Sequence, residues 1–377
     1  MNLRRLVAVA RKEALHVLRD PRSLGFAFLI PMLLLILFGF ALTLDVDHVP
    51  IVVWDQSHTA ASRELVARFA GSRYFTLTKQ VDRYKEIEHD LDTGQALCAL
   101  IIPRDYARNL VNRRSATVQF LLDGSDANTG SLALGYAESV VSSQSESVMV
   151  KEARRKAPQP PRPPLEPRPR VWYNPDLESR NLIIPGQIAV IMVVLASLLT
   201  SLTFAREWEN GTMEQLVSTP VTGAELVMGK LLPYVIIGLA DVGIAMLATR
   251  YVFEVTMRGN ALLLLALAFV FLVGALAMGM LISILLKSQL LASQLSMMVT
   301  YLPAILLSGL VFAIKNMPAF VQYLTYLFPA RYFMSVIKGI YLKGLGLEEM
   351  GGEVVLLLVF ATAMVLLCIL RFRKRIA

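Results

Sequence analysis

Three carboxylates, Glu207, Glu209 and Glu214, stand with Arg206, Gly211, Thr212, Thr219 and Pro220 in a short segment between two long apolar runs. Acids grouped on a capped, structured segment suit docking onto another protein; a solvated polar linker is the plainer alternative. They do not suit hydrolysis. The nearest approach to a phosphate-binding loop, Gly223 to Gly229-Lys230, separates its glycines by five residues instead of four. Leu231 then stands where Ser or Thr would ligate magnesium. Neither a G-x-S-x-G elbow nor an H-E-x-x-H pair occurs. His16, His48, His58 and His89 lack ligand spacing, so no metal site is expected. A chain of this kind holds no cofactor of its own and is driven by a partner.

A second set of polar residues lies inside the apolar runs. Asp241 falls near the middle of one, with Arg250 towards its end. A carboxylate at that depth marks either a pathway or an internal hydrogen bond. Ser293, Gln294, Ser296, Thr300, Tyr301 and Ser308 crowd another run around Pro303, and Gln187 and Ser197 punctuate an earlier one. Polar residues at that density do not face lipid throughout. Gln187, Ser197, Asp241, Ser293, Gln294, Thr300 and Ser308 are candidates to line a translocation pathway, with helix-to-helix bonding as the competing account. Met278, Met280, Met297 and Met298 offer an adaptable apolar wall or plain core packing. Ala275 and Gly279 form a small-xxx-small pair that permits close helix contact.

The elements that hold these residues follow from hydropathy and capping. Thr212 with Gln215, and Thr222 with Glu225, each fit a capping box. Asn210-Gly211 and Thr219-Pro220 supply the turns before them. Two short helices at a membrane surface are therefore expected over 205–230. Apolar runs long enough to cross a bilayer core occupy 23–43, 181–204, 231–253, 261–286, 290–312 and 354–371. With 55% hydrophobic residues and a mean hydropathy of +0.55, the expected fold class is an α-helical polytopic membrane protein of six transmembrane helices. The first run is too long, and too far from the start, for a cleaved signal sequence.

Charge orients the spans. Six bases against Glu13 and Asp20 precede the first span, while Arg371, Arg373, Lys374 and Arg375 follow the last. These two ends account for the whole net charge of +8. By the positive-inside rule both termini are cytoplasmic, with the bases facing anionic lipid. Such a distribution excludes a nucleic-acid binder, which needs a basic patch on one domain.

Residues 1–22 form an amphipathic interfacial helix, with Leu3, Leu6, Val7, Ala10, Ala14, Val17 and Leu18 on one arc and Glu13 among the charges opposite. The stretch 44–157 is too long for a simple loop. Its β-branched runs Val49–Trp54, Tyr74–Lys79, Ala96–Ile102 and Thr117–Leu122 alternate with helical patterns, which predicts an inserted extracytoplasmic α/β domain between spans one and two. Residues 158–180 begin with a proline-dense stretch, Pro158 to Arg170, expected to be an extended linker. The loop 313–353 holds short apolar pieces broken by Pro318, Pro329, Gly339, Gly344 and Gly346, expected to be re-entrant or interfacial helices on the outer side. Tyr323, Tyr326, Tyr332 and Tyr341 suit an interfacial setting. Residues 372–377 are a cytoplasmic tail. Cys98 and Cys368 fall in a strand and a span, so no disulfide is expected.

Phe204 to Tyr234 closely resembles the ABC-2-type transporter permeases, membrane subunits of ATP-driven exporters. The matching residues are Arg206, Glu207, Glu209, Gly211, Thr212, Glu214, Leu216, Thr219, Pro220, Glu225, Gly229, Lys230, Pro233 and Tyr234. Leu307 to Gly344 is similar to a second block of that family through Ser308-Gly309, Met317-Pro318, Pro329, Tyr332 and Gly339. The proline density of 158–170 departs from the family pattern. The resemblance implies a bacterial inner-membrane efflux permease whose 205–230 loop couples to a separate ATPase. That partner would bind ATP and Mg. It further implies a second permease copy, identical or a sister chain, and an outer gate near Met317, Pro318, Pro329 and Tyr332. A polar, methionine-lined cavity is compatible with a drug-like or amphiphilic substrate, and the bulky outer domain suits contact with a periplasmic adaptor. An ion-coupled secondary transporter should show internal repeat symmetry, and none is visible. A membrane receptor or scaffold would not need Asp241 or the polar fifth span.

Overall fold

The computed structural model describes residues 2–41, 48–112, 114–156, 172–174 and 178–372. The proline-dense stretch Pro158–Arg170 and all of the tail but Phe372 lie outside the described residues. The chain divides into two units, one of Met1–Thr43 with Arg170–Ala377 and one of Leu44–Pro169.

In chain order the elements are α1 (Leu3–Arg19), α2 (Pro21–Ala41), β1 (Val49–Asp55), α3 (Ala60–Ala70), β2 (Phe75–Gln80), α4 (Tyr84–Asp92), β3 (Cys98–Ile102), α5 (Tyr106–Val111), β4 (Gln119–Leu122) and α6 (Ala127–Lys156). There follow α7 (Arg180–Glu209), α8 (Thr212–Ser218), α9 (Gly223–Tyr251), α10 (Ala261–Leu286), α11 (Gln289–Leu307), α12 (Ala319–Leu324), α13 (Pro329–Lys338) and α14 (Gly351–Arg371).

The inserted unit is an α/β domain. Its sheet runs β2-β1-β3-β4, with β1 parallel to both β2 and β3 and β4 antiparallel to β3. Strand period two splits the buried side chains between both faces. Val49, Ile51, Val53 and Leu100 pack with Phe69 of α3 and Ala133 of α6, whereas Val52, Ala99 and Ile101 pack with Ile87 of α4. Helices on both faces explain why β1 and β3 read as continuous apolar runs. Cys98 and Cys368 are both free and buried. Burial pushes the Cys98 thiol up to about 12, so it behaves as a small core residue.

The larger unit is helical. Among the described residues five helices, α7, α9, α10, α11 and α14, are long and apolar enough to cross a membrane, and α2 adds the shorter apolar stretch Ala27–Ala41. The chain is thus a polytopic helical membrane protein. Its hub is α7, apolar on nearly every side and packed on α2, α9, α10, α11 and α13. Small residues on α10 bring the backbones together. A Cβ at Gly279 would fall 2.1 Å from the Ser197 carbonyl oxygen, a clash that only glycine avoids. The contact is stitched by polar atoms. Thr200 Oγ1 donates to the Leu276 carbonyl at 2.7 Å, and the amides of Phe204 and Ala205 donate to Ser283 Oγ at 3.0 and 2.9 Å. On the far side of α10, Cys368 of α14 donates to the Ala277 carbonyl at 3.1 Å. Phe271 stacks on Phe333 of α13 at 4.1 Å.

Several expectations need correction. The second capped helix is not a short surface helix: it is the first turns of α9, which runs unbroken from Gly223 into the span. The run ending at 312 stops being helical at Leu307, because Gly309 takes φ +84° and turns the chain. Glu13 does not face outwards with the other charges of α1. It is buried with Leu6, Val9, Ala10 and Val17, while Leu3, Val7 and Leu18 are exposed. In 313–353, Tyr323 and Tyr326 are exposed as expected, but Tyr332 and Tyr341 are buried.

The α7–α10 contact makes a clear prediction. Gly279→Ala should cost about 1–3 kcal/mol through overpacking and lower the thermal midpoint of the detergent-purified protein. Gly243→Ala, whose Cβ would meet nothing within 4 Å, serves as control and should not lower it. Equal midpoints for both variants would refute this packing.

Candidate functional site

The acidic segment is built as a hinge-like elbow on three helix ends. The last turn of α7 carries Arg206, Glu207 and Glu209. Gly211 then takes φ +70°, a left-handed conformation that costs other residues about 1–2 kcal/mol. The chain turns there into α8, anchored by buried Met213. Thr219 and Pro220 lead to Thr222, whose hydroxyl accepts from the Glu225 amide at 3.3 Å while Glu225 accepts from the Thr222 amide at 2.9 Å. That capping box forms as expected. The one expected from Thr212 and Gln215 does not. Gly211 occupies the cap position, and the Thr212 hydroxyl donates instead to the Glu207 carboxylate.

Beneath the elbow lies a buried ion cluster. Lys230 of α9 is only 2% exposed. Its Nζ lies 3.0 Å from Glu13 Oε2 of α1 and 3.3 Å from Glu207 Oε1 of α7. Tyr234, one turn further along α9, donates its hydroxyl to Glu13 Oε1 at 3.2 Å. Lys12 reaches Glu207 from outside at 2.8 Å. The Phe204 ring sits 5.5 Å from Lys230 Nζ, within cation–π range. A cavity of about 230 Å³ adjoins the cluster, lined among others by Arg206, Glu207, His16 and Tyr234. Arg206 Nη1 lies 2.9 Å from His16 Nε2. The start of α1 is tied down as well: Arg5 donates to the Pro220 carbonyl at 2.6 Å, and the Asn2 amide donates to Glu225. Val9 packs over Gly229, where a Cβ would approach it to 2.8 Å.

The other sequence-picked residues divide by place. Glu209 accepts from the Gln289 amide at 2.8 Å and so braces the start of α11. Thr219 Oγ1 donates to the Leu216 carbonyl at 2.6 Å. Glu214 and Pro220 are exposed. Of the pathway candidates, Ser197 and Ser296 share a hydrogen bond of 2.7 Å across α7 and α11, and Thr300 donates to the Ser296 carbonyl at 2.7 Å. Ser293 donates to the Leu290 carbonyl, Gln294 is exposed, and the Leu310 amide donates to Ser308. Gln187 and Asp241 are buried at 3% and 4% exposure. Neither side-chain amide atom of Gln187, nor Asp241 Oδ1, has a hydrogen-bond partner among the described residues. In the outer block, Pro329 starts α13, Tyr332 donates to the Tyr326 carbonyl at 2.7 Å, Pro318 precedes α12, and the Met317 carbonyl accepts from Gln322 at 2.8 Å.

The profile described as ABC-2 family transporter protein matches residues 21–370. The chain belongs to this family. Among curated proteins this ABC-2 permease is 35% identical to the probable multidrug ABC transporter permease YbhS of Escherichia coli K12 over 346 residues, covering 91% of this chain and 90% of that protein. It is 32% identical to the probable multidrug ABC transporter permease YbhR of the same strain over 344 residues, 91% of each chain. The linearmycin resistance permease protein LnrN of Bacillus subtilis 168 is 21% identical over 383 residues, 95% of this chain and 97% of its own. The ABC-2 permease is a membrane transport subunit and not itself the ATPase.

Reading the charges alone missed Glu13 and its partner Lys230. A legible signal existed in the i, i+4, i+7, i+11 spacing of Leu6, Ala10, Glu13 and Val17, which puts one acid in an otherwise apolar stripe. For this ABC-2 permease, Lys230→Met should strand the buried Glu13 carboxylate, while part-buried Glu207 keeps Lys12, and destabilise the unit by about 3–5 kcal/mol. Adding Glu13→Gln to it should recover part of that loss, measured as thermal midpoints of the purified protein. A double variant no better than the single one would remove the pair from the account.

Proposed function

We propose that this chain forms half of the translocation pathway of an ATP-driven exporter and receives force through α8. The observation that carries the reading is the elbow: α8 leaves α7 through a left-handed glycine and presents exposed Glu214 and Gln215. Its root is held by Glu207, which is already engaged with Lys12, Lys230 and Thr212. Docking charge on α8 therefore comes from Glu214, and Glu207 transmits instead of binding. A nucleotide-binding partner, supplying ATP and Mg, would press on α8 and move α1, α7 and α9 as a set.

In this reading α2 and the five long helices make six spans in a bacterial inner membrane, with both termini and the elbow cytoplasmic. Flanking bases support that orientation. The α/β domain then lies outside the cytoplasm, where a periplasmic adaptor could meet it. A second permease, identical or a sister chain, completes the pathway. Export of drug-like or amphiphilic molecules is supported by the relatives named for multidrug transport and linearmycin resistance. Asp241 and Gln187, which carry buried atoms without a hydrogen-bond partner among the described residues, are the residues in the spans to examine for substrate contact.

The test reconstitutes the chain with its transporter's ATPase in vesicles. Gly211→Val places a β-branched residue at positive φ, at a cost of about 2 kcal/mol or more, in a spot where its Cβ meets open space. It should cut permease-stimulated ATP turnover at least about tenfold, equivalent to about 1.4 kcal/mol of coupling, while membrane insertion stays intact. Glu214→Lys should weaken ATPase association in the same assay. Wild-type turnover and association in both variants would reject α8 as the coupling element.

A further inference from the structure

We infer that a groove between α9 and α10, at the opposite end of α9 from the elbow, binds an anionic phospholipid. The inference rests on reading α9 and α10 as membrane spans, and is independent of the coupling role. The groove encloses about 670 Å³, within the size range of ligand sites. Met246, Leu247, Val255, Met257, Leu265 and Tyr341 form most of its wall. Gly243 also lines it, and a Cβ there would meet no atom within 4 Å. The groove therefore reaches the backbone of α9, a depth that suits an acyl chain. Leu247 and Leu262 are exposed beside it, so the opening faces the lipid flank of the bundle.

The rim supplies the complementary charge. Arg250 lines the groove, and Arg258 lines an adjoining polar pocket with Asn174 and Asn181; the two cavities share Thr256 and Tyr341. Neither arginine has an ion-pair partner among the described residues, and neither cavity is lined by an acid. Glu254 sits in the same loop but is not part of either wall. A guanidinium presents a fork of donors that matches phosphate oxygens. The loop that carries Arg258 is pre-set. Its amide donates to the Tyr341 carbonyl at 3.1 Å, and Gly259 and Gly344 let the two backbones touch, with Cβ positions 2.8 Å from Ile340 and 3.3 Å from the Arg258 carbonyl. Two cations over an acid-free apolar trough favour a lipid with net negative charge over a zwitterion. The 29 residues of α9 span about 43 Å at 1.5 Å per residue, so this site and the elbow serve opposite membrane faces.

Lipid binding to the purified full-length chain in neutral detergent, read by native mass spectrometry, tests the inference without any ATPase. Dioleoyl phosphatidylglycerol should bind about tenfold or more tighter than dioleoyl phosphatidylcholine. Arg250→Ala with Arg258→Ala should abolish that preference, and the paired Lys substitutions should restore most of it. Gly243→Trp should fill the trough and remove both lipids; an unchanged thermal midpoint would show that it folds. Equal binding of the two lipids by the wild type would overturn the inference, as would undiminished phosphatidylglycerol binding by Gly243→Trp. Inorganic phosphate that displaces the lipid at equal concentration would show a free-anion site and overturn it too. A failed coupling assay would leave these lipid measurements unaffected.

Discussion

The membrane unit turns on one buried ammonium group shared by a buried carboxylate and a part-buried one. Lys230 lies between Glu13 of α1 and Glu207 of α7, and loss of the ammonium would strip buried Glu13 of its ion-pair partner. Removing a partner from such a group is expensive, whereas the intact set roughly offsets its own desolvation. The cluster is therefore worth more as a constraint on geometry than as net stability. It obliges α1 to lie along α9, with Val9 over Gly229, and it obliges the end of α7 to meet them. Tyr234 and Thr212 use up further lone pairs of the two acids, so the arrangement has few alternatives of similar energy.

That constraint gives the elbow its mechanical character. The Thr222–Glu225 box fixes the start of α9 and the Asn2 amide adds α1 to the same carboxylate. Gly211 supplies the abrupt change of direction between α7 and α8. Buried Met213 seats α8 without embedding it, leaving Glu214 in the open. A rigid root with an exposed tip suits a part that is pushed. Further along α7 the same helix is gripped by α10, where Gly279 admits its backbone and Thr200 and Ser283 bond across the contact. Displacement of the end of α7 would therefore be felt through the whole helix layer, since packed interfaces of this density shift as units and do not stretch.

Polar residues in the spans fall into two physical groups. Ser197 and Ser296 bond one another across α7 and α11, which is the work of helix association, whereas Thr300 is satisfied by the Ser296 carbonyl within its own helix. Gln187 and Asp241 carry unpartnered atoms in buried positions, a state that a protein seldom tolerates without water, a ligand or a moving part. The first group is all hydroxyls and the second an amide and a carboxylate, yet both are equally visible as polar letters in apolar runs, and only the folded neighbours decide which atoms are satisfied.

Local chemistry settles much of this protein before any tertiary contact forms. Apolar run length, the Thr222 cap, β-branched strand periodicity and glycines at turns depend on neighbours within a few residues, and α10 and α3 likewise start on their own local caps, Asn260 and Thr59. The continuity of α9 from cap to span, the early end of α11, the cap exchanged by Thr212 for a bond to Glu207, and the inward turn of Glu13 were decided otherwise. Each depends on a partner far away in sequence: Glu13 and Lys230 are 217 positions apart. Charge in a sequence reads as surface until a second charge is found to bury with it, and that pairing exists only once α1 has been laid against α9.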